Sequence, residues 1–220
     1  MSRAEIMMII SGIGETLLMV FVSTFCGYVF GLPLGIALYM SDQDGIRPNR
    51  TLYRILDVIV NIGRSIPFII LLILIIPFTR MLVGKSYGTI ATIVPLTVSA
   101  IPFIGRMVES SLKEVDKGVI EAAQSMGASD FQIITKVLLK EARPSLINGA
   151  TIALGTIVGY SAMAGTVGGG GLGDIAIRYG YYRYQTNIML VTVAIIVILV
   201  QLFQFAGNKL SKIMDKRKNQ

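Results

Sequence analysis

Residues 17–40 read LLMVFVSTFCGYVFGLPLGIALYM and contain no charged side chain. A helix needs about 20 predominantly apolar residues to cross the hydrocarbon core of a bilayer, which is about 30 Å thick. This stretch therefore predicts a membrane span. The rest of the chain agrees, because 53% of its 220 residues are hydrophobic and only 15% are charged, whereas soluble domains carry about 25% charged residues.

Further apolar runs follow, and they predict an all-α integral membrane protein with five transmembrane helices in a single domain, residues 1–220. The predicted spans are about 17–40, 66–82, 90–105, 145–167 and 188–207. The second and third spans are short and contain prolines, which favour kinks because proline lacks a backbone N–H group. A long connection, residues 109–143, separates the third span from the fourth.

The distribution of lysine and arginine predicts the orientation. With five spans, one side of the membrane holds fifteen of the 20 Lys and Arg residues and the other side holds five. Cytoplasmic loops carry the excess of these residues. We therefore expect the C-terminus and the 109–143 loop in the cytoplasm and the N-terminus outside. The net charge of +7 suits anionic lipid headgroups, and nucleic acid is not an expected partner because the basic residues form no single patch.

Two glycine motifs resemble nucleotide-binding loops, but the residues around each motif do not fit a nucleotide-binding site. The stretch GGGGLGD, residues 168–174, contains G-x-G-x-x-G, but an uncharged membrane span precedes it and no acidic residue follows about 20 positions later, as the dinucleotide fingerprint requires. Gly84-Lys85-Ser86 has the ending of a P-loop, but Thr79 occupies the position of the required first glycine.

The chain lacks the residues that most enzyme and metal sites use. It has no histidine and a single cysteine, Cys26, which argues against metal sites, disulfides and Cys–His nucleophiles. We therefore expect no cofactor, no metal and no enzymatic activity in this chain. Any energy that its function requires must then come from another protein.

Ionisable residues are sparse near the predicted spans. Asp57, Asn61 and Arg64 share one helical face, and Arg106 and Glu109 share another. All five flank apolar runs on the cytoplasmic side, so solvated or headgroup-paired side chains are expected rather than an ion pathway. This pattern does not favour a gradient-driven carrier.

Small residues recur at a four-residue spacing in two spans. Gly27, Gly31 and Gly35 share a face of the first span, and Gly155 and Gly159 share a face of the fourth. Such spacing lets two helix backbones approach closely in a membrane. We interpret these glycines as helix-packing positions rather than ligand contacts.

The centre of the 109–143 loop predicts two short helices. The first covers about 117–126 and ends at Gly127, which can adopt a left-handed backbone. Ser129 then begins a second helix, with Gln132 three positions later as a capping box. A pair of amphipathic helices resting on headgroups explains the second helix well.

Headgroup contact explains the first helix poorly. Glu121, Ala122 and Ala123 form a small, flat surface beside one carboxylate, which favours insertion into a groove on another protein. Docking is therefore the preferred interpretation, with the headgroup alternative left open.

This loop resembles the signature loop of ATP-binding-cassette importer permeases. The matching positions are Glu121, Ala122, Ala123, Gly127, Val137, Leu138, Leu139 and Lys140. The chain departs from the usual pattern at Val137, where isoleucine is usual, and at Lys140, where proline is usual. The resemblance covers residues 10–208. It implies the type I importer permease fold, with Glu121–Gly127 as a coupling helix that docks on a separate cytoplasmic ATPase, which binds ATP and Mg.

Four stretches are similar to methionine importer permeases: residues 61–80, 93–109, 158–174 and 204–207. This resemblance implies a homodimer in a bacterial inner membrane, two ATPase subunits, an extracytoplasmic substrate-binding protein, and methionine as substrate, D- as well as L-methionine. The alternatives are a permease for another amino acid or small solute, a gradient-driven carrier, and a structural anchor.

The fourth span ends in the stretch YSAMAG, residues 160–165. Tyr160, Ser161 and Met163 are candidates to line a translocation path, with Met163 as a soft plug, because its thioether adapts to irregular gaps. The alternative is that Met163 is an ordinary packing residue. The resemblance makes this span the pore helix, which favours the gate, and GGGGLGD is then the outer turn that follows it.

Overall fold

All regular secondary structure in the computed structural model is helical across residues 2–214, the part of the chain that it describes. Its helices are α1 (Arg3–Ser41), α2 (Arg50–Ser65), α3 (Phe68–Leu74), α4 (Ile76–Val83), α5 (Thr89–Lys113), α6 (Lys117–Ser125), α7 (Asp130–Gln132), α8 (Leu139–Glu141), α9 (Arg143–Ala164), α10 (Gly171–Ile175) and α11 (Thr186–Met214). Turns of π-helix and 3₁₀-helix connect some of them: Ile133–Leu138, Gly165–Val167 and Ala176–Tyr181. The all-α fold class is confirmed.

Four of these helices are long and apolar enough to cross a membrane: α1, α5, α9 and α11. The pair α2 and α3 makes a fifth candidate if it is one broken span. The runs predicted at 17–40, 90–105 and 188–207 lie inside the longer helices α1, α5 and α11. The run at 145–167 ends in the 3₁₀ turn after α9.

The predicted span at 66–82 is not a single helix. The chain bends by 99° between α2 and α3 and breaks again at Ile75, between α3 and α4. Prolines explain both breaks. Pro67 forces Ile66 into an extended conformation and so ends α2, whereas Pro77 lies in the first turn of α4, where its missing N–H group costs nothing.

Close approach of α1 and α5 forms the centre of the protomer. A Cβ atom on Gly31 would lie 2.9 Å from Cγ2 of Ile104, and one on Gly35 would lie 2.5 Å from the carbonyl oxygen of Gly105. Gly27 meets α5 in the same way, at 2.8 Å. Only glycine leaves enough room at these three positions, so the first set of spaced glycines brings the two backbones together.

The glycines of α9 lie in a different environment. A Cβ atom on Gly155 would meet Val200 of α11 at 3.7 Å, an ordinary contact distance, and one on Gly159 would meet nothing within 4 Å. Gly159 is therefore exposed and faces open space within one protomer. The four-residue spacing is the same in α1 and α9, so the spacing alone does not distinguish the tightly packed glycines of α1 from the glycines of α9.

The glycine-rich turn after α9 joins three helices. Gly168, Gly170 and Gly171 have φ values between 72° and 81°, which side chains resist and glycine tolerates. The N–H group of Gly171 donates to Glu15 of α1 at 2.6 Å, and Gly88, which caps α5, donates to the carbonyl of Gly168 at 2.9 Å. The motif is a structural turn that ties α1 and α5 to the end of α9.

We expect Gly35→Ala to destabilise the protein. The added methyl group would overpack the α1–α5 contact, which typically costs about 1–3 kcal/mol. Thermal unfolding in detergent, followed by the reaction of a fluorogenic maleimide with Cys26, should show a lower midpoint. The matched control is Gly14→Ala, which adds the same methyl group to an exposed position of the same helix where nothing lies within 4 Å. Equal midpoints for the two variants would contradict the packing role of Gly35.

Candidate functional site

The predicted short helix in the 109–143 loop is α6. It begins after Asp116, whose carboxylate accepts from the N–H group of Gly118 at 2.7 Å. Gly127 follows it with a φ of 78°, in the left-handed conformation expected from the sequence. The capping box at Ser129 and Gln132 is also present. Local sequence rules therefore give the shape of this loop.

The two sides of α6 differ sharply. Ile120 and Ala123 are buried against the rest of the protomer, with Ala123 only 5% exposed. Ala122 and Glu121 face outward, next to Val119 and Met126, which is 82% exposed. The expectation that Ala123 meets a partner is therefore corrected, because its methyl group already packs inside the protein.

The outward face of α6 contains two residues that the sequence analysis missed. Val119, Ala122 and Met126 follow one another at spacings of three and four, which places them on one side of a helix. We call these three residues the docking face. Their spacing in the sequence predicts this face, whereas the Glu-Ala-Ala pattern favours Ala123.

The loop between α1 and α2 forms ion pairs with both ends of the segment 117–130. Lys117, the first residue of α6, pairs with Asp44 at 2.8 Å, and Arg47 pairs with Asp130, at the start of α7, at 2.8 Å. The hydrogen bond to Asp44 raises the pKa of Lys117. Loop 42–49 and residues 117–130 therefore form one surface.

A buried carboxylate lies where α2 packs on α5. Glu109 is 1% exposed and accepts from Arg106 Nη1 at 2.6 Å, from Lys113 Nζ at 2.8 Å and from the Tyr53 hydroxyl at 3.2 Å. Arg106 also pairs with Asp57. The expectation of solvated side chains is thus wrong for Glu109, because α2 folds along α5 and encloses it. Removing one partner of such a buried pair typically costs about 3–5 kcal/mol.

The same network reaches the end of α1. Lys113 pairs with Asp42 at 2.7 Å. Partial burial raises the pKa of Asp42, but the hydrogen bonds from Lys113 and from the Gln43 N–H group, together with the charges of Lys113 and Lys117, outweigh it and the net shift is downward. Ionic contacts therefore join α1, α2 and α5 just before the chain enters α6.

The three candidate path residues on α9 do not share one face. Met163 is 49% exposed. Ser161 is buried, and its hydroxyl donates to the carbonyl of Val158 at 2.8 Å, which corrects its assignment to the path. Tyr160 is half-buried and stacks on Phe68 of α3, with ring centroids 4.6 Å apart.

Met163 belongs instead to an open stripe along α9. Asn148, Ile152 and Gly159 are the other exposed members, at spacings of four, seven and four, which align on a helix. Within residues 2–214, no group of three or more metal-ligating side chains accompanies this stripe or any other surface. The exposed stripe is small and mostly apolar.

Comparison with known proteins gives consistent matches. Residues 27–220 match the family described as binding-protein-dependent transport system inner membrane component. The probable D-methionine transport system permease protein of Vibrio cholerae is 53% identical over 92% of this chain and 90% of its own length. The D-methionine transport system permease protein of Escherichia coli K12 is 56% identical over 75% of this chain and 76% of its own.

A solved structure is similar over nearly the whole chain. It is described as an inward-facing conformation of the MetNI methionine ABC transporter, in its CY5 native crystal form. The likeness has a TM-score of 0.97 at 53% identity and covers 98% of this chain and 100% of that one. A structure of an amino acid ABC transporter with histidines shares the fold, with a TM-score of 0.71 at 19% identity.

We expect two neighbouring substitutions on α6 to fail in different ways. Ala122→Trp should leave folding intact and reduce association with the implied ATPase subunit at least tenfold, because the ring would obstruct the docking face. Ala123→Trp should lower the unfolding midpoint, because it overpacks a buried site by about 1–3 kcal/mol. Affinity capture by the ATPase and thermal unfolding separate the two effects. If Ala122→Trp binds normally, the docking face is misassigned.

Proposed function

Because the chain belongs to the family of binding-protein-dependent transport system inner membrane components, we propose that it is the permease subunit of an ATP-driven methionine importer. The observation that carries the substrate is the 53% identity, over 92% of the chain, to a D-methionine permease. Shared residues extend through the predicted spans, so the likeness is not confined to the coupling loop. D- and L-methionine are both candidate substrates.

The proposed assembly contains two copies of this chain and two cytoplasmic ATPase subunits. ATP and Mg bind to the ATPases, and an extracytoplasmic binding protein delivers the substrate. The open stripe of α9 supports the dimer, because its members are exposed in one protomer and a Cβ atom on Gly159 would meet nothing within 4 Å. The docking face of α6 supports the ATPase contact, because Met126 and Val119 are apolar and exposed outside the predicted spans.

Closure of the ATPases on ATP moves the two α6 helices. Lys117–Asp44 and Arg47–Asp130 transmit that movement to loop 42–49, and Lys113–Asp42 transmits it to the end of α1. The α1–α5 pair then rotates as one body and opens the pathway on the opposite side. ATP drives this change to the extent that it binds more tightly to the ATPases of one state.

Met163 is the proposed gate of this pathway. It lies on the open stripe of α9, so in a dimer it would face its counterpart across the pathway. A thioether side chain fills irregular gaps and moves easily between rotamers. Two facing methionines would block the path in one state and part in the other.

The proposed location is a bacterial inner membrane, with the N-terminus outside and the coupling loop in the cytoplasm. The 15-to-5 distribution of Lys and Arg supports this orientation. Three of the fifteen cytoplasmic residues, Lys216, Arg217 and Lys218, lie outside the described residues. The expected absence of a cofactor in this chain follows from the same proposal, since the ATPase performs the hydrolysis.

Transport in vesicles tests the function. The permease and its ATPase are reconstituted with ATP inside, and the binding protein with labelled D- or L-methionine is added outside. We expect uptake that requires hydrolysable ATP and is unaffected by ionophores. Uptake that needs an ion gradient would indicate a carrier, and no flux would indicate an anchor. ATP-driven uptake of another solute, but not of methionine, would refute the substrate alone.

A pair of cysteines tests the orientation. In a Cys26→Ala background, Tyr182→Cys should react with an impermeant maleimide on intact spheroplasts, because Tyr182 is 66% exposed at the outer end of the chain's helices. Gln43→Cys, in loop 42–49, should react only after permeabilisation. The reverse pattern would invert the proposed topology.

A further inference from the structure

Helix α2 does not end at the level of the polar network but continues along α5. Tyr53, near its start, reaches Glu109, near the end of α5. Gly63, near the end of α2, lies against Pro102, where a Cβ atom would be 2.9 Å from Cγ of the proline. Since α5 covers Thr89–Lys113, Pro102 lies near its middle. The last turn of α2 is therefore positioned half-way along a membrane-spanning helix.

This placement brings Arg64 to the same depth. The side chain adjoins a cavity of about 200 Å³ at the bend between α2 and α3, lined chiefly by Arg64, Phe68, Ser99, Phe103 and Tyr160. Pockets for drug-sized ligands are typically about 300–1,000 Å³. The space therefore suits a smaller molecule.

Arg64 is exposed, and within residues 2–214 it forms neither a hydrogen bond nor an ion pair. Arg106, one helix away, contrasts with it, because Asp57 and Glu109 neutralise that side chain. Ionisable residues within membrane spans are expensive and usually pair or line a pathway. An unpaired guanidinium beside an open cavity is thus a site for an anionic group.

The other walls of the cavity suit the remainder of an amino acid that contains sulfur. The Ser99 hydroxyl donates to the carbonyl of Leu96 at 2.8 Å, which leaves its lone pairs free to accept from an ammonium group. Phe68 and Tyr160 stack in parallel, 4.6 Å between centroids, and Phe103 lies beside them. Sulfur–aromatic contacts are favourable.

We propose that this cavity is a transit subsite for methionine. Arg64 binds the carboxylate through two parallel N–H donors, Ser99 accepts from the α-ammonium group, and the three aromatic rings hold the thioether. Tyr160 is three residues before Met163, so the subsite adjoins the proposed gate. Binding sites at a break in a membrane helix, near mid-depth, are a general solution for transporters. This inference rests on the proposed function.

Arginine substitutions in the assembled, reconstituted importer test the site. Arg64→Gln should reduce ATP-driven methionine uptake at least tenfold, while the substrate-loaded binding protein still stimulates ATP hydrolysis. Arg64→Lys should recover part of the uptake, because it restores the charge without the planar donor pair. The matched control is Arg54→Gln, which removes an exposed arginine of the same helix away from the cavity and should transport normally.

Thiol protection tests the chemistry of the ligand. In the Cys26→Ala background, methionine should slow the modification of Ser99→Cys in the purified complex by a small cationic methanethiosulfonate. Methioninol, which lacks the carboxylate, should not slow it, and Arg64→Gln should abolish the protection by methionine.

Each other outcome overturns the inference. Equal protection by methionine and methioninol, or protection by neither, removes the carboxylate site. If protection of Ser99→Cys depends on added anionic lipid rather than on methionine, the Arg64 guanidinium binds a headgroup phosphate instead. Normal uptake by Arg64→Gln overturns the subsite and leaves the proposed function standing. Absence of methionine uptake by the unsubstituted complex refutes the proposed function itself.

Discussion

Contact between the backbones of α1 and α5 is the constraint on which the rest of the structure depends. Lipid tails are as apolar as leucine, so helices in a membrane gain little from hydrophobic burial and must associate through close packing. Three glycines of α1 supply that packing along a whole face. The chain enters the coupling region directly from α5, and α1 ends in the loop that holds that region. A movement of α6 therefore acts on a rigid pair.

Polar contacts then determine how the remaining elements join this pair. Glu109 is satisfied by groups from α2 and α5, and Lys113 extends the network to Asp42. Arg64 is not part of this network. It lies closer to the middle of α5 and has no ionic partner within residues 2–214. Helix α2 thus provides Asp57, which pairs with Arg106. It also provides Arg64, for which we propose an anionic ligand. We therefore assign a structural role to the ion pairs of Arg106 and a functional role to Arg64.

Local rules predict much of this molecule. The apolar runs give four of the long helices, and the capping box at Ser129 and the left-handed Gly127 give the shape of the coupling loop. Tertiary contacts decide what local rules cannot. The packing of Gly63 on Pro102 brings Arg64 beside the middle of α5, the core takes up Ala123, and the Ser161 hydroxyl bonds within its own helix. The positions of Arg64 and Ala123 depend on elements distant in sequence, whereas Ser161 bonds to Val158 of its own helix.

The glycine-rich turn has a consequence for the order of assembly in the cell. Its hydrogen bond joins Gly171 to Glu15, residues separated by 156 positions. Ribosomes add about 5–20 residues per second, so Glu15 waits roughly 8–30 s before its partner exists. The α1–α5 pair can form long before that. The contact between Gly171 and Glu15 forms only after α9 has been inserted, and until then the Glu15 carboxylate relies on water for its hydrogen bonds.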